Sequence, residues 1–349
     1  MQHLFQIQFT EFLSDWEAIK LFQTSKSSFL SEYTRYRLKL PYPIQHFLNR
    51  TPPIPHELSN IEQMHEIVCF LINCPASWKN LTLRFTKYFN EELDFSKLLC
   101  NNIKQIKCNA FGSRYNQFCD NLPTNLTTLK LGHDFNKPLD CLPHSLTELF
   151  FDYEFNQYID KLPSNLLKLR LGYRFNKPVN FLPPNLTEID FGKEFNQYVV
   201  HLPQNLTKLS FGYDFNQCVD YLPQKLVRLR FGKKFNQQVD RLPKNLKQLT
   251  FGKEFNQPVL YLPSTLKVII FGDEFNRPLD RLPSNLLFLT VGEEFNQSLA
   301  NLPSTLNDFI CGLTFDAFPL NLLRDFEQVR NPFNNRFRRE VSVVHVKSQ

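Results

Sequence analysis

Leu-Pro occurs at 122–123 and then every twenty residues to 302–303, ten times without slippage. Phe stands at 135 and at every twentieth position to Phe315, followed by Asn from Asn136 to Asn296 and by Asp316 in the last copy. The consensus is LPxNLxxLxFGxxFNQxVD. An unbroken short period belongs to an array in which each unit packs only on its neighbours, because one unit of this size cannot bury its own apolar face.

The unit has no room for a helix. Ten residues separate Gly212 from Pro223 and eight separate Pro223 from Gly232. Proline inside a helix costs about 3 kcal/mol and glycine about 1 kcal/mol. In the segment L-x-x-L-x-F, as in Leu206, Leu209 and Phe211, strand alternation puts residues 209 and 211 on one face. The spacing is close to that of leucine-rich repeats, where each unit gives one short strand to a parallel sheet. Leu122, Leu126, Leu129, Leu131, Phe135 and Leu139 are expected to face a continuous core, each lying over its counterpart in the next coil. Each such side chain contributes about 1.5–3 kcal/mol on burial.

All ten glycines share one register, Gly112, Gly132 and Gly172 to Gly312 in steps of twenty, and only Asp152 interrupts it. Asp tolerates the left-handed backbone region better than most residues, so the column predicts a positive φ just after the strand. The Asn column is expected to bond the neighbouring coil's backbone rather than a ligand, and the Phe column to pack the core. The Asn-Leu-Thr sequons at Asn125, Asn185 and Asn205 follow from the repeat rather than from glycosylation.

The motif, fullest as LPKNLKQLTFGKEFNQPV at 242–259, resembles the FNIP repeat of social amoebae and of the large DNA viruses that infect them. The likeness covers residues 102–317, and LTLRFTKYFNEELD at 81–94 resembles a worn copy. It implies a viral or amoebal source. The expected fold is mainly β: a leucine-rich-repeat-like solenoid of 20-residue coils with a parallel sheet, preceded by a small helical N-terminal segment.

Outside the array, residues 9–38 read as two helices. Ser14 and Glu17 form a capping-box pattern ahead of Trp16, Ile19 and Phe22, and Phe29, Leu30 and Tyr33 recur at helical spacing after a break at Thr24 and Ser25. LSDWEAIKLFQTSKSSF, from Leu13 to Phe29, resembles the latter half of an F-box, although the opening Leu-Pro-x-Glu helix of that motif is missing. That resemblance implies docking on the Skp adaptor of a cullin–RING ubiquitin ligase through Leu13, Trp16, Ile19 and Phe22. The expected organisation is a helical segment at 1–45, a linker and N-terminal cap at 46–101, the solenoid at 102–317, and a C-terminal cap with a basic tail at 318–349. Within the last segment VSVVHV at 341–346 reads as a capping strand.

Composition narrows the function. Forty Lys or Arg against 34 Asp or Glu leave a net charge of +6 over 349 residues, too mild and too interspersed for a nucleic-acid or polybasic membrane protein. No stretch approaches the roughly 18 apolar residues of a membrane-spanning helix. The start lacks a basic residue ahead of a long apolar run, so a secretory signal is not expected. The eight cysteines form no CxxC, and reduced, mostly buried thiols in a cytoplasmic protein are expected. The eight His occupy different registers, and the sequence contains no GxxxxGK, HExxH or GxSxG. An enzyme is therefore not expected, and neither is a cofactor or metal.

What does vary is confined to particular columns. Core registers hardly change, while the two registers flanking the central strand residue change freely. One runs from Thr128 in steps of twenty to Asp308 and the other from Lys130 to Ile310. Alternation turns both away from the core, onto the sheet face that solenoids offer to partners. Val268, Ile270, Phe288 and Ile310 cluster over three coils, and an apolar patch in water marks a binding site. Arg228 and Arg230, with Lys168 and Arg170 further back, are placed to hold acidic side chains of a protein partner. The expected function is non-enzymatic recognition of a protein, either as the substrate receptor of a ubiquitin ligase or as a plain binding scaffold.

Overall fold

The structure, a computed structural model, describes residues 57–61, 80–93, 95, 103–108, 113–311, 326–327 and 342–346. Two compact units divide the chain between Leu146 and Thr147. The first contains β1 (Glu57–Ile61), β2 (Leu81–Phe85), β3 (Ile103–Cys108) and β4 (Thr128–Leu131), paired in that order and in parallel. Phe89 stacks on Tyr115 with ring centroids 5.8 Å apart, and the Asn116 N–H donates to Asn90 Oδ1 at 2.9 Å. Residues 81–93 thus carry the repeat's core contacts, although Phe89 lies 26 residues before its counterpart Tyr115.

In the second unit nine strands follow at twenty-residue intervals. They are β5 (Glu148–Phe150), β6 (Lys168–Arg170), β7 (Glu188–Asp190), β8 (Lys208–Ser210), β9 (Arg228–Arg230), β10 (Gln248–Thr250), β11 (Val268–Ile270), β12 (Phe288–Thr290) and β13 (Asp308–Cys311). All are parallel, each residue pairing with the one twenty positions on. β15 (Ser342–Val346) then pairs antiparallel with β13, and β14 (Phe326–Glu327) antiparallel with β15. The strand read at 341–346 therefore closes the last parallel edge, which would otherwise offer free N–H and C=O groups. Among the described residues there is no helix. The two helices read at 9–38 lie outside them, as do Leu13, Trp16, Ile19 and Phe22.

Two turns fold each coil. The N–H of Leu226 donates to Pro223 O at 3.2 Å, and that of Phe175 to Gly172 O at 3.2 Å; equivalent bonds recur along the array. The invariant Leu, Pro, Gly and Phe therefore sit where the chain bends and where it turns inward. The central residue of every strand from β5 to β12 is buried, as is the Phe column from Phe155 to Phe295. Phe211, Phe231, Phe251 and Phe271 form a second column, stacked at 5.4–5.6 Å between coils and at 3.7–3.8 Å on the Phe four residues on. Equivalent rings of the outer column lie 6.0–6.1 Å apart, from Phe215 through Phe275. Hydrogen-bonded strands are about 4.8 Å apart. The step thus widens away from the strands, and the coils of this unit fan open on the side opposite the sheet.

Glycine has a different reason from the one the sequence suggested. Among the described non-glycine residues only Asn80 has a positive φ, so Asp152 does not adopt the left-handed conformation, and neither do Gly172 to Gly292. Instead the backbones touch: a Cβ on Gly192 would lie 1.6 Å from Gly172 O, and one on Gly232 1.7 Å from Gly212 O. From Gly172 to Gly292 the column is glycine because no side-chain atom fits between consecutive coils, whereas the chain accommodates a side chain at Asp152.

The Asn column is the expected ladder, although its members are half-buried or exposed rather than buried. Each main-chain N–H donates to Oδ1 of the preceding Asn at 2.9–3.0 Å, from Asn176 on Asn156 through Asn296 on Asn276. Gln217, Gln237, Gln257 and Gln297 add a second donor to the same oxygens. The sequon residues Asn185 and Asn205 likewise donate through Nδ2 to carbonyls of Ser164 and Pro184.

Candidate functional site

The sheet face away from the core is built by the first and third residues of each three-residue strand. Both are half-buried or exposed in β5 to β12, while the residue between them is buried. The alternation that the sequence implied is therefore present, and the fanning of the coils puts these columns on the narrower side of the unit.

Register brings the four apolar residues together. Val268 pairs with Phe288 on the next strand, and Ile270 and Ile310 flank Thr290. All four are half-buried. β15 bounds the patch, its Val343 opposite Ile310 and its His345 opposite Asp308.

The four basic residues divide into two kinds. Lys168 Nζ donates to Glu148 Oε1 at 2.8 Å, and that hydrogen bond, helped by the glutamate's charge, raises its pKa. Arg170 lies 3.6 Å from Asp190. Desolvation pushes the Asp190 carboxyl up, against the pull of Arg170 and Arg230. Arg228 and Arg230, in contrast, form no ion pair among the described residues. Arg230 still acts on Asp190 electrostatically, but neither guanidinium is held in a close ion pair among the described residues.

A third column, half-buried except at Lys253 and directly after the glycines, escaped the sequence reading. It runs Tyr153, Tyr173, Lys193, Tyr213, Lys233, Lys253 and then turns acidic at Asp273 and Glu293. Tyr153 and Tyr173 stack at 4.4 Å. Lys193 and Lys233 both hold Nζ over the Tyr213 ring, at 4.9 and 5.0 Å from its centroid. Lys193 Nζ also bonds the Tyr173 hydroxyl and Lys233 Nζ the Tyr213 hydroxyl, which raises both lysine pKa values. Tyr213, Lys233 and Lys253 of this column line, with Asp190, Ser210, Arg230 and Thr250, an open groove of about 500 Å³ along the strand ends. Its signal in the sequence was the same twenty-residue tabulation, one register past the invariant Gly.

Over the three columns, residues 168–253 carry eight Lys or Arg against Glu188 and Asp190. The next coils reverse this, with Asp273, Glu293 and Asp308 around the apolar patch. The mild net charge of the chain conceals a strongly basic stretch of sheet face beside an apolar, acidic one.

Nothing in this face resembles an assembled metal or nucleophile site. Among the described residues no three His, Cys, Asp or Glu converge to hold a metal, and no helix is long and apolar enough to cross a membrane. Three described cysteines are free thiols: Cys119 is buried, whereas Cys141 and Cys218 are exposed. Burial, with the nearby Asp120 charge, pushes the Cys119 thiol up to about 12.

The FNIP repeat model matches residues 115–154, 155–194, 195–234 and 235–274, each match spanning two coils. Among solved structures, that of CroV588, described as a novel circular LRR protein, is similar with 38% identity and a TM-score of 0.62. The alignment covers 67% of this chain and 37% of that one, so this chain spans little more than a third of its length. YopM from Yersinia enterocolitica is similar at 22% identity and a TM-score of 0.45, over 65% of this chain and 56% of its own. No curated protein matches. Residues 115–274 thus carry four consecutive matches to the FNIP repeat, folded as a parallel solenoid of twenty-residue coils, a leucine-rich-repeat-like scaffold suited to protein–protein interaction.

Proposed function

We propose that the chain is a non-enzymatic recognition module that binds a protein partner on the exposed face of the second unit's sheet. The observation that carries this reading is the apolar patch of Val268, Ile270, Phe288 and Ile310 on adjacent strands, beside Arg228 and Arg230 with no intramolecular ion pair. A compact, partly desolvated apolar centre with charged surroundings is the usual anatomy of a binding hot spot. The charge pattern specifies the partner's complement: acidic residues over coils 168–253, then apolar anchors with basic neighbours over coils 268–310. The experiment is affinity capture of the partner from the native cell, then titration against Val268→Ser and Phe288→Ser. Binding weakened by at least about tenfold is expected, since hot-spot truncations cost about 2 kcal/mol or more. Unchanged affinity in the double variant removes the proposal.

A finer reading rests on the F-box resemblance of residues 13–29. In it the N-terminal segment docks on a Skp adaptor through Leu13, Trp16, Ile19 and Phe22, and the sheet face selects a protein for ubiquitination in the cytoplasm. Pull-down of the Skp adaptor by the full chain, compared with Leu13→Ala and Trp16→Ala, tests it. No capture at micromolar concentration would leave the plain scaffold.

A further inference from the structure

A second exposed feature lies off the sheet, in the turn that follows each buried Val or Leu of the NQxV segment. From Lys161 the register reads Lys161, Phe181, His201, Tyr221, Arg241, Tyr261, Arg281: basic and aromatic residues alternate over seven consecutive coils. Phe181 is 70% exposed, Tyr221 62% and Tyr261 61%, among the most exposed large apolar side chains described. Neither these rings nor Arg241 and Arg281 make a hydrogen bond, ion pair or ring contact among the described residues. The fold does not require the pattern, because the buried Val199, Val219 and Val239 before the turn and Leu202, Leu222 and Leu242 after it carry the packing.

Strict alternation has a geometric consequence. A two-fold axis passing between two neighbouring coils brings each basic position within the overlap of the two ridges opposite an aromatic one. Placed between Tyr221 and Arg241, it sets Tyr221 against the partner's Arg241, Phe181 against the partner's Arg281 and His201 against the partner's Tyr261, each contact made twice by symmetry. Ring faces attract cations, arginine most often. The chain already uses this contact nearby, where Lys177 Nζ lies 5.3 Å from the Tyr158 centroid. We infer that this ridge is a self-complementary surface on which two copies of the chain pair antiparallel.

Aromatic and basic residues in a row also suit single-stranded nucleic acid. The adjacent register decides against it. There Asp160, Asp220, Asp240 and Asp280 run alongside the ridge and would repel phosphates.

Sedimentation of the full chain over a range of concentrations reads the pairing, with thermal melting as the check on folding. Tyr221→Arg alone sets arginine against arginine at two symmetry-related contacts and is expected to weaken dimerisation about tenfold or more, whereas Arg241→Tyr alone leaves facing rings that attract and is expected to weaken it less. The double exchange, Tyr221→Arg with Arg241→Tyr, restores alternate partners and is expected to recover most of the affinity. A monomer at every accessible concentration overturns the inference, as does a double exchange no better than the single changes. Capture of a single-stranded oligonucleotide by the monomer at micromolar concentration also overturns it.

Discussion

Replacing Gly232 by alanine puts a carbon where the preceding coil already has backbone. The new Cβ would lie 1.7 Å from Gly212 O and 2.3 Å from Gly212 C, with the Tyr213 nitrogen at 2.8 Å. Neither coil can yield by rotating a side chain. Separation by more than an ångström strains the bonds on either side, from Phe211 N–H to Arg230 O at 2.8 Å and from Lys234 N–H to Tyr213 O at 2.9 Å. Overpacking costs about 1–3 kcal/mol, and two weakened backbone bonds add about 0.5–1.5 kcal/mol each. Less unfolded-state entropy for alanine offsets about 0.4–1 kcal/mol of this. The net is a loss of about 2–5 kcal/mol, or about 4–20 °C in melting temperature for a unit of this size. Urea unfolding followed by circular dichroism measures it. Gly232→Asn discriminates between explanations, since asparagine would be tolerated at a positive φ but meets the same obstruction here. An asparagine variant within about 0.5 kcal/mol of the parent would refute the close-contact argument.

Other outcomes follow from the same contacts. Asn216→Ala removes the acceptor of the Asn236 N–H and of Gln237 Nε2, and is expected to lower urea stability by about 1–3 kcal/mol; Asn216→Asp, which keeps the oxygen, should cost less. Phe215→Ala empties a fully buried site stacked between Phe195 and Phe235, for an expected loss of about 3–5 kcal/mol by the same measurement. A thiol reagent at pH 8 should label Cys141 and Cys218 within minutes and leave Cys119 unmodified until the protein unfolds. Because the Cys119 pKa is raised from 9.0 to about 12 on folding, its stabilising contribution is complete below pH 9 and is lost as pH rises toward 12. Cys119→Ala should therefore flatten the alkaline arm of the stability profile.

The period, the inward registers and the parallel sheet were legible because a strand's side chains alternate and a twenty-residue unit with Pro and Gly leaves no helix. The antiparallel end strand was legible for the same reason, its VSVVHV run being β-branched. The glycine mechanism was not, since a column of Gly looks alike whether φ is positive or another backbone is close. Asp152 pointed to the first when the second holds. The Tyr–Lys column was missed although it is as regular as the others. Proximity to the sheet face depends on how the chain turns after Gly, which no periodicity encodes. Nor could spacing alone show that Lys168 and Arg170 hold close ion pairs while Arg228 and Arg230 do not, since that depends on which charges occupy the neighbouring coils.

Stability and recognition occupy different registers of the same coil. The stacked Phe rings, the Asn oxygens and the glycine contacts repeat from coil to coil, so their contribution grows with the number of coils and does not depend on which residues face outward. The side chains of Arg228 and Arg230 make no hydrogen bond or ring contact with these columns among the described residues. Changing both to serine is expected to move urea stability by less than about 0.5 kcal/mol each, as for surface positions without partners. The same double change removes two of the eight positive charges on that stretch of sheet. Long-range attraction for an acidic partner should therefore fall, with slower association and a shallower dependence on salt. Stability lost in step with binding would mean that the outer face is part of the packing, and the separation of the two roles would fail.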